Sequence, residues 1–155
     1  MARYTATIEV TAPSAGQNLA NWVAGSACNF KLRRAFGGTR NSSATTPQSQ
    51  QIEIAIFRAT ARGTQTTNVA GQALDPRDAA DPTAGLDTAW SVQPTLATNP
   101  LWRIPFNDQA GFDVPWEGYE ELGCDQGTAN GLCFQNVGTA VPSGTLVVLT
   151  IEIEN

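Results

Sequence analysis

Three aspartates stand three residues apart in the stretch ALDPRDAADPTAG: Asp75, Asp78 and Asp81. Carboxylates gathered on one short loop are the raw material of a calcium site, because hard cations take oxygen ligands. The spacing argues against that chemistry. A calcium loop of the EF-hand kind sets ligands at alternating positions, a glycine at the sixth and a glutamate at the twelfth. This stretch has no glycine before Gly85. Two of its aspartates precede proline, at Asp75-Pro76 and Asp81-Pro82. An Asp side chain accepts a backbone N–H two residues on while proline fixes the next φ, so each pair predicts a turn. The loop reads as shaped by its own Asx turns, with Arg77 beside Asp78 to offset part of its charge. Arg77, Asp78 and Asp81 are its candidate contacts with a neighbouring subunit.

The remaining chemistry is narrow. Histidine is absent, which removes Ser-His-Asp and Cys-His catalysis, imidazole-ligated metals and the usual general base near neutral pH. No nucleophile elbow, P-loop or dinucleotide fingerprint is present. WEGYEE sets Glu117, Glu120 and Glu121 beside Trp116 and Tyr119, and paired carboxylates are a glycosidase device. A catalytic site needs converging groups with shifted pKa values, and acids in an irregular loop do not supply them. No catalytic, cofactor or metal residue is assigned, and the chain is expected not to be an enzyme. Trp90, Trp102 and Trp116 run through the loop-rich second half. They suit sugar stacking, but more readily a core or a subunit interface. Trp102 and Trp116 are therefore candidate contact residues. Cys28, Cys124 and Cys133 make an odd count, against a secreted disulfide scaffold; with no histidine and only one cysteine beyond the Cys124/Cys133 pair, no zinc site is expected. Whether Cys124 and Cys133 approach each other is left open by a C-x8-C spacing.

The elements that must position these residues read as strands. With 155 residues the chain suits one domain over 1–155. Charged residues make up only 15% of it, too few for helix surfaces, and Thr, Asn, Gln and Gly favour strands with long polar loops. MARYTATIEV has no apolar leader core and is expected to enter a strand directly. In it Tyr4, Ala6, Ile8 and Val10 share one face. LANWVAG suits a helical turn or an edge strand. ACNFKLRRAF places Cys28, Phe30, Leu32 and Phe36 in one stripe, with Arg33 and Arg34 on opposite faces. The 37–50 stretch reads as a polar loop. QQIEIAIFRATAR carries Ile52, Ile54 and Ile56 on one face and Ala55 and Phe57 on the other, the pattern of a doubly covered strand. TAWSV and PLWRIPF are short strands, the second confined to an edge or a bulge by Pro100 and Pro105. LCFQNVG and GTLVVLTIEIEN close the chain, the last burying Val147, Leu149, Ile151 and Ile153. Both end strands carry Thr and Glu outward, which makes them candidate neighbours in one sheet. The expectation is an all-β, single-domain antiparallel β-sandwich or jelly roll with long loops.

The net charge of −5, with one lysine and eight arginines, leaves no basic stripe beyond KLRRAF and argues against a nucleic-acid partner. No apolar run approaches membrane-spanning length, so no membrane partner is expected.

Across IEIAIFRATARGTQTTNVAGQALDPRDAADPTAGLDTAWSVQPTL, then LWRIPF and the closing SGTLVVLTIEIEN, the chain resembles small β-rich proteins of the structural-gene regions of tailed bacteriophages and prophages. Some of these look like capsid decoration (cement) proteins. The WEGYEELGCDQGTANG stretch departs from the simpler loop such proteins would carry there. The resemblance implies a virion structural protein on the capsid surface, assembled in the host bacterial cytoplasm. It implies the major capsid protein as partner and a homo-trimer at a three-fold position. Polar loops such as 37–50, in which Arg40 is the one charged residue, suit this role, since they supply hydrogen bonds with little desolvation cost for charges. The alternatives are a carbohydrate- or receptor-binding module of a tail or fibre, or another tail or neck component.

Overall fold

A computed structural model describes residues 1–41, 49–117 and 121–155. Among these residues the regular structure is entirely strand: β1 (Arg3–Thr11), β2 (Asn18–Val23), β3 (Phe30–Asn41), β4 (Gln51–Ala61), β5 (Thr64–Val69), β6 (Gln72–Ala73), β7 (Gly85–Val92), β8 (Thr95–Leu96), β9 (Trp102–Asn107), β10 (Phe112–Pro115), β11 (Leu122–Cys124), β12 (Gly131–Asn136) and β13 (Thr145–Glu154). They form two sheets. The first runs β10-β3-β13-β1-β6, with β11 also on β3. The second runs β5-β7-β2-β12-β4-β8, with β9 also on β4. All pairings are antiparallel, and the inward faces share one core. This is a β-sandwich.

The two ends of the chain are neighbours, as their matching solvent faces predict. β1 and β13 pair without a slip from Arg3↔Glu154 to Thr11↔Leu146. Tyr4, Ala6 and Ile8 face inward with Val147, Leu149, Ile151 and Ile153, while Thr7 and Thr150 share a 2.9 Å hydrogen bond on the outer face. Across the core, β4 contributes Ile52, Ile54 and Ile56, and β2 contributes Trp22. Each such side chain adds about 1.5–3 kcal/mol of burial energy.

Several local expectations are corrected. LANWVAG forms β2, neither helical nor at an edge: it lies between β7 and β12, and Leu19 to Val23 are all buried. Arg33 and Arg34 share the outer face of the first sheet. The ladder slips between Glu152↔Arg34 and Ile153↔Leu32, so Arg33 is the extra residue of a β-bulge, which resets the alternation. Leu32 and Ala35 therefore both face the core, and Phe36 turns outward beneath the Arg34 guanidinium, 4.8 Å from its ring centre. β3 continues to Asn41, so residues 37–41 of the expected loop are strand; residues 42–48 lie outside the described segments. TQTTNV, read as loop, is β5, with five of its six residues exposed.

The second sheet curls onto itself. Only Arg62 and Gly63 separate β4 from β5, and only Gln93 and Pro94 separate β7 from β8. Pairing between these two ribbons runs from Gln51↔Asn107 to Val69↔Leu86. Because β7 pairs with β2, β2 with β12 and β12 with β4, the bend closes the sheet into a ring. Gly63 makes the bend possible: its φ is +76°, and a Cβ there would fall 2.3 Å from the Val92 carbonyl oxygen. Val23, Ala55, Phe57 and Cys133 lie outside the main core yet are buried. Alternation puts them on the side of the sheet that the ring encloses. β4 is thus covered on both faces, as its sequence predicts.

Candidate functional site

The acidic loop, residues 74–84, carries the chain from β6 in the first sheet to β7 in the second. Both proline-flanked aspartates form the expected Asx turns. Asp75 Oδ1 accepts the Arg77 N–H at 3.0 Å, and Asp81 Oδ1 accepts the Thr83 N–H at 2.9 Å. Asp81 Oδ2 also accepts the Gly71 N–H at 3.2 Å. The core reaches out to hold the loop: Tyr4 Oη donates to the Ala79 carbonyl at 3.2 Å, and Trp22 Nε1 donates to Thr83 Oγ1 at 3.0 Å.

This geometry redistributes the three candidates. Arg77 folds back on Asp75, at 3.0 and 2.6 Å, rather than on Asp78. Its hydrogen bonds hold the Asp75 carboxyl below the usual carboxylate range. Asp81 is half-buried and spends both oxygens on backbone N–H groups, Thr83 within the loop and Gly71 ahead of β6. Asp78 is half-buried beside a shallow cleft of about 380 Å³, which Met1, Arg3, Leu74 and Asp75 complete. Leu74, half exposed, and Arg77, 87% exposed at its side chain, face outward. Leu74 was not singled out from the sequence. A lone large apolar residue beside an Asp-Pro turn in a polar stretch is the sequence signal that marks it.

The two tryptophans part company. They meet edge to face, 6.0 Å apart at 85°, but Trp116 is fully buried in the core. It has no surface to offer a partner or a sugar, which removes it as a contact residue. Trp102 is half-buried and keeps an accessible edge. In WEGYEE, Glu121 is spent on Lys31 at 2.5 Å and Arg33 at 2.8 Å, and Glu117 is exposed. Tyr119 and Glu120 lie outside the described residues.

Most other charges are tied in pairs. On the outer face of the first sheet, Arg33 Nε donates to Glu154 Oε2 at 2.7 Å, and Arg34 grips both oxygens of Asp113 at 2.8 and 2.6 Å. Glu154 is 4% exposed, and the Arg33 hydrogen bond holds its carboxyl below the usual range. Inside the curl of the second sheet, Arg62 grips both oxygens of the buried Asp87 at 2.7 Å each, and Asn68 Nδ2 adds a third bond at 2.8 Å. The cysteines are free thiols. Cys124 lies on β11 in the first sheet and Cys133 on β12 in the second. Burial pushes the Cys124 thiol up to about 11 and the Cys133 thiol higher still, so both stay protonated near neutral pH, poor nucleophiles.

No protein family matches the chain, and no curated protein matches it.

Proposed function

We propose that the chain is a non-enzymatic structural protein of a tailed-bacteriophage virion. In this reading it is a decoration (cement) protein that binds the major capsid protein on the outside of the shell, as a homo-trimer, and stabilises the capsid. The observation that carries this reading is the 74–84 loop. It is shaped by its own Asx turns and pinned to the two sheets by Tyr4 and Trp22, yet it turns Leu74 and Arg77 outward. A surface ordered before contact loses little conformational entropy on binding. The rest of the chemistry supports a binding role over a catalytic one, since carboxylates and guanidiniums neutralise one another and two of the three thiols are held protonated.

The free edge of β1 supports assembly. β6 pairs with β1 only at Tyr4 and Thr5, and among the described residues no strand lies beyond Thr5 on that side. The N–H groups of Ala2 and Ala12 point toward the β13 side, so alternation turns the main-chain groups of Thr7, Glu9 and Thr11 to the open edge. Such an edge accepts a strand from a neighbouring chain.

Co-sedimentation with capsids stripped of the protein tests the reading. Wild-type chain is expected to pellet with the shells, and the double variant Leu74→Asp/Arg77→Glu to stay in the supernatant while melting normally. A double variant that binds as well as wild type would remove the loop from the contact. A wild-type chain that never pellets would remove the capsid.

A further inference from the structure

Eight of the nine cationic side chains hold a carboxylate within 3.3 Å. Arg58 alone, among the described residues, holds none. Its position explains why. Arg58 continues the inward-facing series Ile52, Ile54 and Ile56 of β4 but lies past the end of the core, exposed. Its Nη1 reaches across to the opposite sheet and donates to the Gly123 carbonyl of β11 at 2.7 Å. Between the sheet ends lies an open cleft of about 360 Å³, lined by Arg58, Thr60, Cys124, Asp125 and Asn130 over the backbone of two glycines. That volume falls within the roughly 300–1,000 Å³ of small-molecule sites.

The hydrogen-bonding capacity left over in the cleft is mixed. A guanidinium carries five N–H donors, and Arg58 has spent one on Gly123. Asp125 forms no ion pair among the described residues, so its carboxylate remains an acceptor. Asn130 uses its Nδ2 on the Gln126 carbonyl at 2.8 Å, which leaves Oδ1 to accept. Thr60 donates its hydroxyl to the Thr95 carbonyl at 3.3 Å, which leaves the oxygen lone pairs. The cleft thus offers one cationic donor group and three acceptors. An oxyanion, which only accepts, would meet Arg58 but be repelled by Asp125 and find no use for Asn130 or Thr60. A cation would be repelled by Arg58. Hydroxyl groups both donate and accept, and several held on one ring answer all four side chains.

We infer that this cleft is a binding subsite for a polyhydroxylated ligand, of which a pyranose unit of a glycan is the class that fits. None of Trp90, Trp102 and Trp116 lines the site, and it does not depend on where the protein sits in a virion. With no aromatic ring among its lining residues, it lacks the stacking surface that tightens sugar binding, so a single sugar is expected to bind weakly.

Amide-resolved NMR of the full chain tests this. The probes are the methyl glycosides of glucose, galactose and mannose, with sodium acetate and inorganic phosphate in parallel at matched ionic strength. At least one glycoside is expected to shift the Gly123, Cys124, Asn130 and Gly131 amides saturably. Arg58→Gln and Asp125→Asn should each weaken that binding about tenfold, the loss of one charge-assisted hydrogen bond, with amide signals far from the cleft unmoved. The proposal is overturned if no glycoside gives a saturable shift, or if acetate or phosphate does so alone. It is equally overturned if both variants bind as wild type does.

Discussion

Asp87 has no exposed surface, and its charge is tolerable there only because Arg62 and Asn68 occupy its lone pairs. Removing one partner of a buried ion pair costs about 3–5 kcal/mol, while replacing both by apolar groups is often neutral. Arg62→Ala is therefore expected to lower the melting temperature by roughly 6–20 °C, at about 2–4 °C per kcal/mol for a chain of this size. The double change Arg62→Met/Asp87→Leu should recover most of that loss in the same thermal scan. Glu154 makes a pH prediction. Arg33 depresses its carboxyl in the folded state, so its contribution is full above the unfolded value, near 4.3. That contribution is lost as pH falls through the folded value. The melting temperature should stay level from about pH 7 to about pH 5 and fall below about pH 4.5. Glu154→Gln should start lower and show a shallower acid decline. Little of this was legible beforehand. Strict alternation put Arg33 and Arg34 on opposite faces, and the bulge that unites them belongs to the register between β3 and β13, strands that are distant in sequence. Trp116 suits a core or an interface equally by sequence, and only its contact with Trp102 of the second sheet decides for the core.

At the scale of elements, legibility followed whether an element carries its own determinants. The Asp-Pro loop does, since each Asx turn is closed within three residues, and its turn geometry was readable directly. Its ion pairing was not: Arg77 reaches back to Asp75 because the turn brings those two side chains together, whereas adjacency in sequence pointed to Asp78. β4 was readable because it is apolar on both faces, and β13 because it alternates. β5 has neither signal; it is a strand because the ladder from β4 continues through the bend at Gly63 and carries it along. The loop gives a prediction at this scale. Asp81→Ala strands the Gly71 and Thr83 N–H groups and should cost about 1–2 kcal/mol, while Asp75→Ala should leave the melting temperature unchanged. Millimolar calcium should move neither the wild-type melt nor that of either variant, because the aspartate oxygens of Asp75 and Asp81 already face protein donors. A clear rise with calcium would show that the loop opens to bind the ion.

For the whole molecule, the all-β sandwich was legible from short strands, turn clusters and the matched ends of the chain. The closure of the second sheet was not, because it depends on one glycine bend and on pairings that cross the entire sequence. The result is a body whose cations are nearly all tied to its own carboxylates and whose pinned loop projects a small mixed patch, Leu74 and Arg77, beside an open strand edge. That distribution suits a protein that attaches to a larger surface and braces it. The direct measurement is calorimetry of capsids lacking the chain, before and after the purified protein is added back at saturation. The account predicts that the shell's disruption temperature rises on addition, and that Leu74→Asp/Arg77→Glu abolishes the rise. An unchanged disruption temperature with the wild-type chain at saturation would contradict it.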